Sequence, residues 1–320
     1  MLKKLFIIII TAQLLTSYTS KAMVNSAESF SIILPGQNGL GGDSFEQNQI
    51  VNTPSHATIR FTTLKNPMYI DLGQGNCIQD FEKQLHEPPY KNNKHYFYGI
   101  SQGTATLLNW LGKMSHEEQE KNVHSLVLES VLGSGDSAIL HTIESTILTK
   151  IITYLPFTRA WLPLAAKIVA FPTYNPFGKQ AVTSAKKISP NIPVIIMHNH
   201  ADPQLSINDA REVYCSLVEN GHNSAYLLEV DSQHQAHLDI LDYDIERFKK
   251  IAAIQAIYRK HNLPYSKKIN ITGIDLAKFQ PSAKNIREKI NNSTGTNRLI
   301  RNTIDITATG MLVGYLSYLL

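Results

Sequence analysis

Gly99-Ile100-Ser101-Gln102-Gly103 places a serine between two glycines, each two residues away, at the junction of an apolar strand-like run (95–98) and a helix-forming run (104–111). A serine hydroxyl is a poor nucleophile. It becomes a good one when a histidine takes its proton and a carboxylate holds the other ring nitrogen of that histidine. A sharp strand-to-helix turn that projects such a hydroxyl forces strained backbone on the serine and leaves no room for side chains two residues to either side, which Gly99 and Gly103 satisfy. The pentapeptide alone occurs by chance in roughly one chain in ten of this length, so its context matters more than its letters. Carboxylates follow at Asp136 and Asp202, and histidines at His234 and His237 in one short loop, where only one of the two can face Ser101.

These groups must be carried by something rigid. Short apolar runs at 30–34, 57–61, 68–72, 95–98, 125–128, 193–197 and 225–230 alternate with helical patterns at 79–86, 104–114, 180–188, 207–220 and 241–259. Aliphatic strands without polar alternation are buried on both faces, so the pattern predicts a mainly parallel sheet between helices, a three-layer α/β sandwich. The alternation breaks over 133–178, an apolar and aromatic insertion that reads as helices capping the sheet.

On those residues the chain resembles the α/β-hydrolase family over most of the length between residues 30 and 259. Ile32-Ile33-Leu34-Pro35-Gly36-Gln37 resembles a strand and its His-Gly-x loop, with Pro35 in place of the histidine, and Tyr69 to Gly75 resembles the next strand and its glycine turn. His198-Asn199-His200-Ala201-Asp202 resembles a His-Gly-x-x-Asp turn, with Asn199 in place of the glycine. Gln233-His234-Gln235-Ala236-His237-Leu238 resembles the family's Gly-His-x-x-His-Leu loop, with Gln233 in place of the glycine. The resemblance implies a triad of Ser101, Asp202 and His234, an oxyanion hole built from the backbone N–H groups of Gln37 and Gln102, and elbow glycines Gly99 and Gly103. The chain order Ser, Asp, His is the family's. Asp136 is the substitute acid, and His237 falls outside the motif's base position. The implied activity is hydrolysis of an ester-type acyl bond in a small-molecule or lipid-like substrate, esterase- or lipase-like. Thioester and peptide bonds, or a non-catalytic binding role, remain open.

No cofactor or metal is needed for this chemistry. His198, His200 and Asp202 alternate, but in a regular strand the outer two lie about 13 Å apart, too far to share one ion unless the chain curls. The 320 residues are 43% hydrophobic and 18% charged with a net charge of +4, which excludes a disordered chain and argues against a nucleic-acid partner. Cys77 and Cys215 are too few for a disulfide framework.

The ends read differently from the middle. A basic start, the apolar run 5–15 and the small-x-small site Ser20-Lys21-Ala22 make residues 1–22 a secretory signal peptide or an uncleaved anchor, which implies export. Residues 263–303 read as a polar, loose extension. The uncharged stretch 306–320 closes an apolar tail (304–320) that either touches a membrane or docks on the core. The remaining domain plan is a core at 23–132 and 179–262 with the cap at 133–178.

Overall fold

A computed structural model describes residues 31–35, 56–58 (backbone only), 72–135, 137–138, 141, 180–232, 236–244, 246–266 and 271–294. Its strands are β1 (Ser31–Leu34), β2 (His56–Thr58), β3 (His95–Ile100), β4 (Val123–Glu129), β5 (Val194–Asn199) and β6 (Ala225–Val230). They form one parallel sheet in the order β2-β1-β3-β4-β5-β6. The chain starts inside the sheet, moves outward to β2, then crosses back and proceeds the other way from β3. That reversal between β1 and β3 is the topological switch point, the place beyond the strands' carboxyl ends where open α/β sheets bind ligands.

The two-residue period of each strand divides its side chains between two cores. From β5, Val194 and Ile196 enter one cluster, while Ile195 and Met197 enter the other. The first core takes side chains from α1 (Gly75–Leu85), α2 (Gln102–Leu111), α4 (Ala181–Ala185), α5 (Ile207–Glu219) and α7 (Ala283–Thr294). The second is closed by α6 (Arg247–Lys260) through Ile251, Ile254, Ile257 and Tyr258. Helices on both faces of a parallel sheet give the three-layer sandwich expected from the sequence. All ten residues of α2 are buried, because this helix lies over the middle of the sheet directly behind Ser101. Phe81 packs edge-on against Trp110 and Phe97, with ring centroids 4.8 and 5.8 Å apart, and so ties α1 to α2 and the sheet.

Several boundaries differ from the sequence reading for local reasons. The helix α3 (His116–Asn122) was not expected. It is started by a reciprocal capping box between Ser115 and Glu118. The run 241–259 is not one helix: a 3₁₀ turn (Ile240–Tyr243) precedes α6, and Asp244 leaves helical pairing to bridge antiparallel to Ser232. The expected strand at 68–72 lies outside the described residues apart from Leu72, which is in a turn. So do residues 1–22, nearly all of the 133–178 insertion, and the tail 304–320. No helix among the described residues is long and apolar enough to cross a membrane. Cys77 and Cys215 are buried thiols on different helices and form no disulfide.

The largest correction concerns 263–303, which holds an integral helix rather than a loose extension. Helix α7 buries Ile286 and Ile290 in the first core. Arg287 grips Glu219 through two hydrogen bonds of 2.9 and 2.8 Å, and the Tyr214 hydroxyl donates to the Pro281 carbonyl at 2.8 Å. Because Ile286 is fully buried, Ile286→Ala should cost about 2–5 kcal/mol in urea unfolding at constant m-value. A loss below about 0.5 kcal/mol, the size of an ordinary surface change, would mean that α7 only rests on the body.

Candidate active site

Between β3 and α2 the chain turns at Ser101 with φ 51° and ψ −116°, a conformation that a residue with a side chain adopts only when its surroundings enforce it. The enforcement is visible. The Ser101 N–H donates to the Glu129 carbonyl on β4 at 2.9 Å, and the Ser101 carbonyl accepts from Thr104 N–H at 3.0 Å and from the Thr104 hydroxyl at 2.6 Å. A Cβ at Gly99 would stand 2.8 Å from Leu107 and 3.0 Å from the Thr104 nitrogen, and one at Gly103 would collide with the Leu34 carbonyl of β1. Both glycines are therefore required by close approach, as the elbow reading anticipates. The Gln102 N–H belongs to the first turn of α2, where backbone donors have no acceptor within the helix. Its carboxamide is buried, with Nε2 donating to the Cys77 sulfur at 3.2 Å.

Asp202 lies in the turn after β5, closed by a hydrogen bond of 3.2 Å from its own N–H to the Asn199 carbonyl. Its carboxylate accepts from the N–H groups of Gln204 and Leu205 at 2.8 and 2.9 Å, and from His237 Nδ1 at 2.8 and 3.0 Å. Burial pushes this carboxyl's pKa up, but the His237 hydrogen bond and the other donors outweigh it and leave Asp202 below the ordinary carboxylate range. The opposite ring nitrogen, His237 Nε2, stands 2.9 Å from Ser101 Oγ. Serine, imidazole and carboxylate therefore form one hydrogen-bonded line at the carboxyl edge of the sheet. The turn of Ser101 follows β3, that of Asp202 follows β5, and the loop of His237 follows β6. The chain has the α/β-hydrolase fold.

Within that fold the histidine differs from the motif reading. His237, not His234, occupies the position between Ser101 and Asp202. The reason is the path of the loop: after β6 ends at Val230, Ser232 pairs with Asp244 and its N–H reaches Asn199 Oδ1. His237 thus meets Ser101 three residues later in the chain than the motif implies. His234, Gln233, Gln37 and Asp136 lie outside the described residues. The residue pair Asn199 and Gln233, both standing where the resemblance has glycine, was the signal in the sequence that this loop follows its own course.

The other histidines are held apart. His198 is buried, accepts from Val131 N–H on Nδ1 at 3.0 Å and donates from Nε2 to the Leu205 carbonyl at 3.3 Å. Only neutral imidazole fits that pair of partners, because a proton on Nδ1 would face another donor. Burial lowers its pKa to about 4, against the pull of Asp202, whose carboxylate is 3.7 Å away. His200 turns outward to Glu229 at 3.4 Å, so His198, His200 and Asp202 do not converge on an ion.

No family model and no curated protein sequence matches the chain. Solved structures do resemble it. An esterase of Pyrococcus furiosus is 13% identical over 74% of this chain and 84% of its own, with a TM-score of 0.47. A monoacylglycerol lipase of Paleococcus ferrophilus is 14% identical over 72% and 94%, with a TM-score of 0.37. An acylaminoacyl peptidase of Pyrococcus horikoshii is 12% identical over 79% and 40%, with a TM-score of 0.46. At such identities and scores these are likenesses only, and what the site does is decided by its own atoms.

His198 gives a direct check on the site's electrostatics. Its lowered pKa means that its contribution to stability is complete above the unfolded value of about 6.5 and is lost progressively as pH falls towards 4. In ring-nitrogen NMR, His198 should remain the neutral Nε2–H tautomer at pH 5.5. A midpoint near 6.5 would contradict the buried hydrogen-bond pair described here.

Proposed function

We propose that the protein is a serine hydrolase that cleaves an ester-type acyl bond through an acyl-enzyme on Ser101. The observation that carries this is the line from Ser101 Oγ to His237 Nε2, 2.9 Å, and from His237 Nδ1 to Asp202, 2.8 Å. His237 takes the hydroxyl proton as Ser101 attacks the acyl carbon. Asp202 fixes the tautomer with the proton on Nδ1 and stabilises the imidazolium that forms. The negative charge on the former carbonyl oxygen is held by the Gln102 N–H and, in the reading carried by the family resemblance, by that of Gln37. Loss of one such donor costs roughly 3 kcal/mol of transition-state stabilisation. His237 then returns its proton to the departing alcohol, and a water repeats the sequence to release the acid and restore Ser101.

Ester substrates, small or lipid-like, are the favoured class, with thioesters and amides open to the same steps. The chemistry draws on no cofactor. The signal-peptide reading of residues 1–22 adds export to the proposal, and the tail adds contact with a membrane surface.

The variants that decide the base are His237→Ala and His234→Ala, assayed on p-nitrophenyl esters. His237→Ala should lower kcat by several orders of magnitude, while His234→Ala should stay within about threefold of the parent. A dead His234→Ala beside an active His237→Ala would overturn the assignment. Absence of turnover on every acyl substrate, with Ser101 unreactive, would favour a binding role.

A further inference from the structure

Two polar side chains at the sheet's carboxyl edge are buried completely and take no part in the steps above: Glu129, the last residue of β4, and Asn199, the last of β5. Apolar side chains would fill such places without the cost of desolvation. Their partners show what they hold. The Asn199 Nδ2 donates to the Ala236 carbonyl at 2.8 Å, and its Oδ1 accepts from Ala201 N–H at 3.2 Å and Ser232 N–H at 3.4 Å. One carboxamide thus fastens the turn that carries Asp202 to the loop that carries His237, on both sides of residues 233–235. One Glu129 oxygen accepts from Ile240 N–H at 2.9 Å and the other from the Tyr98 hydroxyl, while the Glu129 backbone carbonyl holds Ser101 N–H at 2.9 Å. The same residue therefore fastens the nucleophile's turn to the histidine's loop. Between these two anchors the Ser130 hydroxyl donates to the His237 carbonyl at 2.5 Å.

The anchored loop atoms belong to residues 232, 236, 237 and 240, so the backbone is fixed at His237 and on either side of it. We propose that Asn199 and Glu129 are positioning residues that hold the His237 loop in register with Ser101 and Asp202. The loop's register differs from the motif where glycine is replaced at 199 and 233, and the Asn199 carboxamide supplies the fixation there. The assignment rests on the triad reading. It adds which groups set the position of the base, and a misplacement on the order of 1 Å at such a site costs about a hundredfold in rate.

Two readouts test it without a known substrate: the rate of Ser101 phosphonylation by a fluorophosphonate probe, and the far-downfield proton NMR signal of an imidazole N–H bonded to a carboxylate. In Asn199→Ala the labelling rate should fall about ten- to hundredfold and the His237 signal should broaden into exchange, with circular dichroism and cooperative thermal unfolding retained. Glu129→Leu should behave likewise. Glu129→Gln should recover most of the rate, because its Oε1 still accepts from Ile240 and the Tyr98 oxygen can accept from its amide. If Glu129→Leu does not fold, Asn199→Ala and Asn199→Ser decide the matter alone. Parental labelling and an unchanged His237 signal in folded Asn199→Ala would overturn the proposal. An unlabelled parent that still shows the signal would instead refute the serine's activation, and the NMR comparison would continue to judge the positioning.

Discussion

Ser101 holds φ 51° and ψ −116° because it is the only residue between the end of β3 and the first turn of α2, and both elements are fixed by burial. β3 lies between β1 and β4 in the sheet, and α2 is buried along its whole length. Neither can shift to relax the turn. The backbone approach this demands excludes side chains at Gly99 and Gly103, and the hydrogen bonds from Ser101 N–H to Glu129 and from Thr104 to the Ser101 carbonyl hold the strained residue in place. Strain of this kind costs roughly 1–3 kcal/mol and persists where the surrounding structure over-determines it. The hydroxyl then stands at the edge of the sheet, beside the N-terminus of α2, whose first backbone N–H groups have no acceptor within the helix.

The second requirement is that two other turns meet this fixed point. Parallel strands all end on one side, so the turns after β3, β5 and β6 share an edge as a consequence of topology. Sharing an edge does not give registration to a few tenths of an ångström. That comes from buried polar contacts: two backbone N–H groups on the Asp202 carboxylate, and the Asn199, Glu129 and Ser130 side chains on the histidine's loop. Burial raises the Glu129 pKa to about 8, a measure of how unfavourable a carboxylate is in that position. Neutral His198 packs behind Asp202 and adds a contact to Val131 after β4, so the acid's turn is braced from within the sheet as well.

The sheet, the glycine-flanked turn at Ser101 and the place of Asp202 just after a strand were legible in the sequence because each is a local pattern. Aliphatic runs such as 193–197 mark strands buried on both faces, and the glycines around Ser101 reflect contacts made within a few residues. The base was not legible to the same depth. His234 and His237 differ by three positions in one loop, and the contacts that hold this loop, Ser232 with Asp244 and Asn199 and Ala236 with Asn199, join distant parts of the chain and are recorded by no local pattern. Helix α7 was missed for a related reason: Ile286 and Ile290, one turn apart, are buried in the core with Ala283 packed beside it, and so narrow an apolar stripe among Asn, Lys and Ser resembles a solvated segment. The capping box Ser115 to Glu118 was present in the sequence, but it heads a helix of only seven residues with no apolar periodicity.

In the proposed reaction Ser101, activated by His237, carries the acyl group during turnover. Mixing the protein with excess p-nitrophenyl acetate, quenching in acid within the first turnovers and mapping peptides by mass spectrometry reads that intermediate directly. One acetyl group per chain is expected on the peptide containing Ser101, absent from Ser101→Ala and gone when the parent is left at neutral pH until the substrate is consumed before the quench. Acetyl carried on another side chain, or turnover in Ser101→Ala at the parental rate, would contradict it.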